Sequence, residues 1–418
     1  MPAYVLSVFA VIALSLRLAA AVLPGRQRSG VLVLMLLVLA ILPAGDFGQR
    51  SHLMVSLALP YLLLSALRLQ GGAPCGTAIA AAVGALAGLG FAIKPHYLLL
   101  PATLECLLWW RRRRPSSAFR PETLALAAVL VSYAAAVLLF TPEYLTRVIP
   151  YALEVYNGAY RNSWSVVLAR PETLLVPLVG LLHLRARRSL AAPQAAMGDV
   201  LIAAMLTLFA LYLGQMKGWN YHIYPTTAML VLVAGNLALA AAPGRPVRLV
   251  GLALAGLLVS KAAILADNRY PLMDRLRPFI DVRGAEAIYF FSSNTWTGFP
   301  MTLYANVAWA SRFPALWLLP GIVNATNAAG ADRETEALAE IDRFTTEAVI
   351  ADLSARPPDV VFVDARPWKS WYREPGFDFI GHFSADPRFA ALWAEYELIG
   401  SVDGFEVYAA EVERRIHP

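Results

Sequence analysis

Residues 198–240 read GDVLIAAMLTLFALYLGQMKGWNYHIYPTTAMLVLVAGNLALA. Two apolar runs, each near the roughly 20 residues that carry a helix across a bilayer, enclose a polar and aromatic block, Lys217-Gly218-Trp219-Asn220-Tyr221-His222. The pattern predicts a membrane hairpin with a chemically equipped turn. Working outward, apolar runs begin near Pro2, Val31, Leu53, Gly76, His96, Thr123, Glu172, Gly198, Ile223 and Leu249. Two of them, Val31 to Ala44 and His96 to Trp110, are short for a span. The expected fold is a polytopic α-helical membrane bundle of about ten spans over residues 1–266, followed by a carboxy-terminal extracytoplasmic α/β domain over residues 267–418.

Composition agrees with a membrane protein. Of 418 residues, 58% are apolar and 15% charged, and the mean hydropathy of +0.55 is too high for an ordinary soluble protein of this size. The net charge of +6 lies in short clusters between apolar runs, not along one exposed face, which excludes nucleic acid as a partner. Cys75 and Cys106, the two cysteines, exclude a disulfide scaffold and offer no zinc spacing. Apolar segments recur far beyond one signal peptide, which excludes secretion as a soluble enzyme.

Arg26 and Arg28, then Arg68, then Arg111 to Arg114 with Arg120, then Arg185, Arg187 and Arg188, then Arg245 and Arg248 fall in alternate connections. The positive-inside rule makes those connections cytoplasmic. The external set is then Gly45 to His52, Lys94 to His96, Thr141 to Arg170, Gln215 to His222 and everything after about Asp267, with the amino terminus outside. Gly84 and Gly88 form a GxxxG pair inside a span, a signal for close helix packing. Arg17, Glu105 and Lys261 lie near helix ends, where snorkelling accounts for them. Beyond Ala266, Ala287 to Phe291 and Val360 to Val363 read as buried strands, Thr335 to Ala355 as a helix, and Glu397 to Tyr408, broken at Asp403-Gly404, as a hairpin.

Ionisable groups at the external ends of spans are costly there and tend to mark sites. Asp46-Phe47-Gly48-Gln49-Arg50-Ser51-His52 brings a carboxylate, a guanidinium and an imidazole together between two spans. Lys94-Pro95-His96-Tyr97 sits at a helix break, and the third block is the turn quoted at the outset. Phosphate needs cations, so Arg50, His52, Lys94, His96, Lys217 and His222 are the candidate phosphate ligands. Asp46 is the candidate base or divalent-metal ligand. The segment Thr141 to Arg170 carries Glu143 and Tyr144 and has the composition of an amphipathic interfacial helix. Together with Trp219 and Tyr221 it is the candidate wall of a substrate groove. No Walker loop, HExxH, GxSxG or dinucleotide fingerprint stands in a suitable context.

These residues resemble the GT-C superfamily of membrane glycosyltransferases, the group containing protein O-mannosyltransferases and lipid A aminoarabinose transferases. The likeness rests on Gly45 to His52 running into Leu53 to Arg68, on Phe91-Ala92-Ile93-Lys94-Pro95, on Lys217 to Pro225 and on the carboxy-terminal domain. It implies transfer of a sugar from a polyprenyl-phosphate donor to a glycan, lipid or protein acceptor at the outer face of the bacterial inner membrane. It also implies an external acidic residue as base or metal ligand, and inversion at the anomeric carbon. Members place their principal acid in a first external loop after an amino-terminal span, and this sequence shows no such loop. Either that span and loop are missing from the chain, or Asp46 is the main acid, or the protein is inactive. The rival readings are a lipid-linked glycan flippase and a non-catalytic assembly subunit. In the carboxy-terminal domain Trp368, Trp371 and Trp393 are expected in the core or an interface, with no acidic pair placed for glycoside chemistry.

Overall fold

The computed structural model describes residues 2–20, 25–71, 75–113, 119–240, 246–264, 271–329 and 336–410. Arg114, Arg245 and the boundary at residues 266–267 lie outside the described residues, as does the Lys261 side chain. The chain divides into two units, one of Met1–Phe140 with Asn162–Asn268, the other of Thr141–Arg161 with Arg269–Pro418.

In the first unit the helices are α1 Pro2–Ala20, α2 Gly25–Leu36, α3 Arg50–Gln70, α4 Thr77–Ala92, α5 Leu99–Arg112, α6 Pro121–Phe140, α7 Glu172–Ala186, α8 Ala192–Gln215, α9 Asn220–Ala240 and α10 Pro246–Ile264. Four of them, α3, α6, α8 and α9, are long and apolar enough to cross a membrane. The helical membrane character stands, but the count of ten crossings does not follow. Length is the reason: the 16 residues of α4 rise about 24 Å at 1.5 Å each, short of the roughly 30 Å hydrocarbon layer. Helix α9 is 89% buried over its most apolar window and forms the centre of the bundle, whereas α6 is 6% buried and presents its apolar surface outward.

Helices α4 and α6 pack backbone to backbone. A Cβ at Gly84 would overlap the Glu122 carbonyl, and one at Gly88 would meet Val129 Cβ at 2.9 Å, so this small-residue pair is a packing device. Between α2 and α3 the chain widens into a π-helical turn, Leu37–Ile41, in which the Leu42 amide reaches back to the Leu37 carbonyl at 2.7 Å. That shift frees neighbouring carbonyls, and Val38 O accepts the Tyr224 hydroxyl at 2.9 Å.

The arginine-rich helix ends carry carboxylates in their midst. Arg68 grips Glu122 through two bonds of 2.8 and 3.0 Å, Arg120 pairs with Glu105, and Tyr61 donates to Glu105 at 2.7 Å. Asp199 collects Arg111, Arg187 and His183 within 3.1 Å. Glu105 is therefore an ion-paired residue, not the snorkelling group its position near a helix end suggests.

The second unit contains α11 Pro271–Arg283, β1 Ala287–Phe291, α12 Phe299–Ala305, β2 Ala308–Trp309, α13 Leu319–Ala329, α14 Glu336–Ala355, β3 Val360–Asp364, α15 Phe379–Ser384, α16 Pro387–Trp393, β4 Tyr396–Val402 and β5 Phe405–Ala410. Its sheet runs β2-β1-β3-β5-β4, parallel from β2 to β3 and antiparallel beyond. The five residues of β1 and the five of β3 are all buried, as central strands covered on both faces must be. Positive φ at Asp403 and Gly404 closes the β4–β5 hairpin, the conformation a two-residue turn demands. Thr141–Arg161 belongs here because Val155 is buried in the core of this unit with Leu319 and Ile322, while Tyr151 donates to Glu340 at 2.9 Å. Its helix is broken into π-helical turns, Tyr144–Val148 and Ala152–Tyr156. Trp393, half-buried, stacks between Phe389 and Tyr396 against the core, whereas Trp368 is 64% exposed.

Candidate functional site

Three connections of the bundle bring their polar residues to one place. Lys94 caps the short 3-10 turn Pro95–Leu98 at the end of α4, because Pro95 cannot continue the helical hydrogen bonding and Lys94 takes an extended backbone. Its ammonium reaches His222 Nε2, at the start of α9, at 3.5 Å. It also stands 5.2 Å from the Tyr221 ring centre and 5.9 Å from that of Tyr97, distances at which a ring face attracts a cation. Burial, reinforced by the Arg50 charge, pulls the Lys94 ammonium down to about 8. The charges acting on the His222 ring are those of Lys94, His96, Lys217 and Arg50, with no carboxylate among them.

The turn before α9 is held rigidly. Met216 and Gly218 both have positive φ, and a Cβ at Gly218 would press Val166 at 3.2 Å. Asn162 ties the strand of backbone twice, its amide to Met216 O at 2.7 Å and its side chain to Lys217 O at 2.6 Å. Arg170 holds the other side through Gly218 O and Asn220 Oδ1. Lys217 is thereby buried to 5% exposure, its ammonium 6.0 Å from the Trp219 ring centre. Trp219 and Tyr221 both pack against His222, at 5.1 and 4.4 Å between ring centres. His222 Nδ1 and His96 Nε2 are buried with no hydrogen-bond partner among the described residues. Such orphans are costly unless something fills the site.

The first block divides in its roles. Arg50 is exposed at the amino end of α3 and contributes charge to Lys94 and His222. His52, expected as a phosphate ligand, is a structural residue instead. It is fully buried, accepts the Gly48 amide on Nδ1 at 3.0 Å and faces Leu39 O from Nε2 at 2.9 Å. With Nδ1 accepting, Nε2 carries the proton and donates to the carbonyl that the π turn frees. Asp46 lies on the turn Ala44–Asp46, and burial alone pushes its carboxyl up to about 6, with no contribution from the cations. Among the described residues no hydrogen bond or ion pair ties its carboxylate to Lys94 or His222, so that group does not neutralise it.

Both His52 nitrogens are taken, and among the described residues no three His, Cys, Asp or Glu side chains gather as a metal-ligand set. Glu143 and Tyr144 fall in the second unit and are exposed. Asn162 and Arg170 position the site without being singled out by any local motif, and the buried pair Ser51–Tyr97, 2.8 Å apart, links two of the quoted blocks. Glu172 is a buried carboxylate that accepts from Thr227 at 2.9 Å.

Comparison with protein-family models, with curated proteins and with solved structures finds no match.

Proposed function

We propose that this chain is a GT-C-like membrane glycosyltransferase that moves a sugar from a polyprenyl-phosphate donor to an acceptor at the extracytoplasmic face of a bacterial inner membrane. The observation that carries the reading is the 3.5 Å approach of the Lys94 ammonium to His222, with Trp219 packed on the same imidazole and on the buried Lys217 ammonium. Cations held close in a low-dielectric setting repel one another and favour an anion among them. A phosphate headgroup at the rim of a bundle, with its chain in the bilayer, has that charge and that position.

In the reaction the acceptor oxygen forms its bond to the anomeric carbon as the bond from that carbon to the phosphate oxygen breaks. The electron pair leaves with the phosphate, and Arg50, Lys94 and Lys217 stabilise the growing negative charge. Because an ammonium can only donate, His222 accepts from Lys94 on Nε2 and carries its proton on Nδ1, available to a phosphate oxygen. Asp46 takes the acceptor proton. A carboxyl near 6 is a stronger base than an ordinary one and is still ionised at neutral pH. Trp219 and Tyr221 line the approach. One displacement of this kind inverts the anomeric centre.

The test is equilibrium binding of a short-chain polyprenyl phosphate to the purified protein in detergent. Lys94→Ala should weaken binding about tenfold or more, since a charge-assisted bond contributes about 1.5 to 3 kcal/mol. Equal affinity in the wild type and in this variant would remove the phosphate from this cluster.

A further inference from the structure

The strand order of the second unit points to a crevice at the carboxyl ends of its central strands. The connection leaving β1 leads to β2 on one side of the sheet, while the connection leaving β3 leads to the β4–β5 hairpin on the other. Adjacent parallel strands whose outgoing connections diverge leave an opening at their carboxyl ends, the place where open α/β sheets receive ligands. Here the two loops are stitched by Ser293 Oγ donating to Ser370 O at 2.8 Å.

Three observations at this point call for a ligand. The Tyr372 hydroxyl is buried without a hydrogen-bond partner among the described residues, an expense that native proteins seldom tolerate without use. Lys369 is buried to 7% exposure and donates to Arg366 O at 2.7 Å, one bond from an ammonium that has three N–H groups. Asp364, also buried, is gripped on both oxygens by Arg366; its charge and that of Asp378 favour the Lys369 ammonium, while the hydrogen bond from that ammonium goes to a backbone carbonyl.

The third observation is Trp371. It has φ of 76°, a conformation unfavourable for a bulky side chain. The conformation persists because the buried Asn324 clamps both sides of it, donating to Trp371 O at 2.8 Å and accepting the Arg373 amide at 2.9 Å. What the strained backbone achieves is the placement of a half-buried indole on Tyr160, ring centres 5.0 Å apart. Tyr160 in turn stacks on Tyr156 at 4.6 Å. Strain of this kind, over-determined by its surroundings, belongs to functional positions.

We propose that the crevice at the carboxyl ends of β1 and β3 is a sugar-binding subsite, with Trp371 as the platform for the apolar face of the ring and Tyr372 and Lys369 as partners of its hydroxyls. A flat aromatic face beside unspent donors matches a pyranose, which has an apolar C–H face and a rim of hydroxyls. The subsite stands on the second unit alone. Under the transferase reading its sugar belongs to the acceptor. The subsite would give Trp371, half-buried and packed on Tyr160, a role in addition to the core or interface position expected from the sequence.

The experiment titrates the full-length protein in detergent with mannotriose and chitotriose, followed by saturation-transfer NMR and tryptophan fluorescence. Trp371→Asn retains a residue that tolerates positive φ and removes the ring. It should keep or raise the melting temperature while weakening sugar binding at least tenfold. Tyr372→Phe should weaken it several-fold with folding intact. Absence of saturable binding to both trisaccharides overturns the proposal, as does unchanged binding in Trp371→Asn. The readout is binding and not transfer, so its failure leaves the phosphate cluster of the bundle untouched, and loss of transfer leaves this subsite untouched.

Discussion

Lys94 and His222 lie 128 residues apart in the chain, and their side-chain nitrogens are 3.5 Å apart in the fold. The contact joins the end of α4 to the start of α9, so two helix ends share one cationic centre. Their backbones are fixed by different means, Lys94 by the proline break and His222 by the Asn162 and Arg170 ties, and the geometry therefore exists before any anion arrives. Preorganised charge of this sort would cost little reorganisation in the proposed reaction, where a new anion forms.

Under the proposed transfer reaction, the pH profile is set by two groups outside the helices that cross the membrane. Asp46 is raised to about 6 and must lose its proton to act as a base, so turnover rises as pH increases through about 6. Lys94 is lowered to about 8 and must keep its proton to hold phosphate, so turnover falls as pH increases through about 8. Both shifts arise from burial that penalises the charged form, so stability changes in the same ranges: the Asp46 penalty is relieved below about 6 and the Lys94 penalty above about 8. A rate profile with both limbs, the lower abolished in Asp46→Asn, is expected. A flat rate between pH 5 and 9 (on the order of one unit beyond each of these values) would contradict the assignment.

Substitutions should separate donor handling from proton transfer. Arg50→Ala and Lys217→Ala each remove a cation directed at the donor and should weaken donor binding about tenfold or more. Asp46→Asn should suppress turnover while donor binding is largely kept, because the base acts on the acceptor. Parallel binding and single-turnover measurements read the two effects.

His52→Ala should act on stability. Two buried bonds disappear, leaving the Leu39 carbonyl and the Gly48 amide without their partner, a cost of about 1 to 3 kcal/mol for each orphaned group. Thermal unfolding in detergent should shift to lower temperature, with polyprenyl-phosphate affinity per folded molecule unchanged. A loss of affinity at full stability would return His52 to the phosphate site.

The sequence revealed what periodicity and charge encode. Arginines in alternate connections marked where helices turn, and the apolar runs marked where they lie. The Lys217–His222 block was visible because a cation, an imidazole and aromatic rings are rare between spans. The role of His52 was hidden, because its partners are backbone groups of a π turn and leave no side-chain signature. Arg170 and Asn162 were equally hidden, since their partners lie 48 and 55 residues away. The placement of Thr141–Arg161 in the second unit depends on Val155 meeting Leu319 and Ile322, a contact that local composition does not encode. Glu105 looked like a lone charge near a helix end because Tyr61 comes to it from α3 and Arg120 from the residue just before α6.

At the arginine end Glu122 is the residue whose loss should cost most. It is 2% exposed and shared between Arg68 and Arg120, so Glu122→Ala leaves two half-buried cations facing each other. About 3 kcal/mol of destabilisation is expected, at the lower end of what breaking a buried pair costs, and Glu122→Gln should recover part of it. Denaturation of both variants in the same detergent checks the order.

The most direct measurement is transfer itself: purified protein incubated with radiolabelled polyprenyl-phosphate sugars and membrane lipid, glycan or protein acceptors, with release of polyprenyl phosphate followed alongside the labelled product. The account predicts product and released carrier in equal amounts from the wild type, neither from Asp46→Asn, and both much reduced from Lys94→Ala at low donor concentration. Donor that binds through Lys94 but is never cleaved, with label instead moved intact across proteoliposomes, would contradict the transferase and leave a lipid-linked sugar carrier in its place.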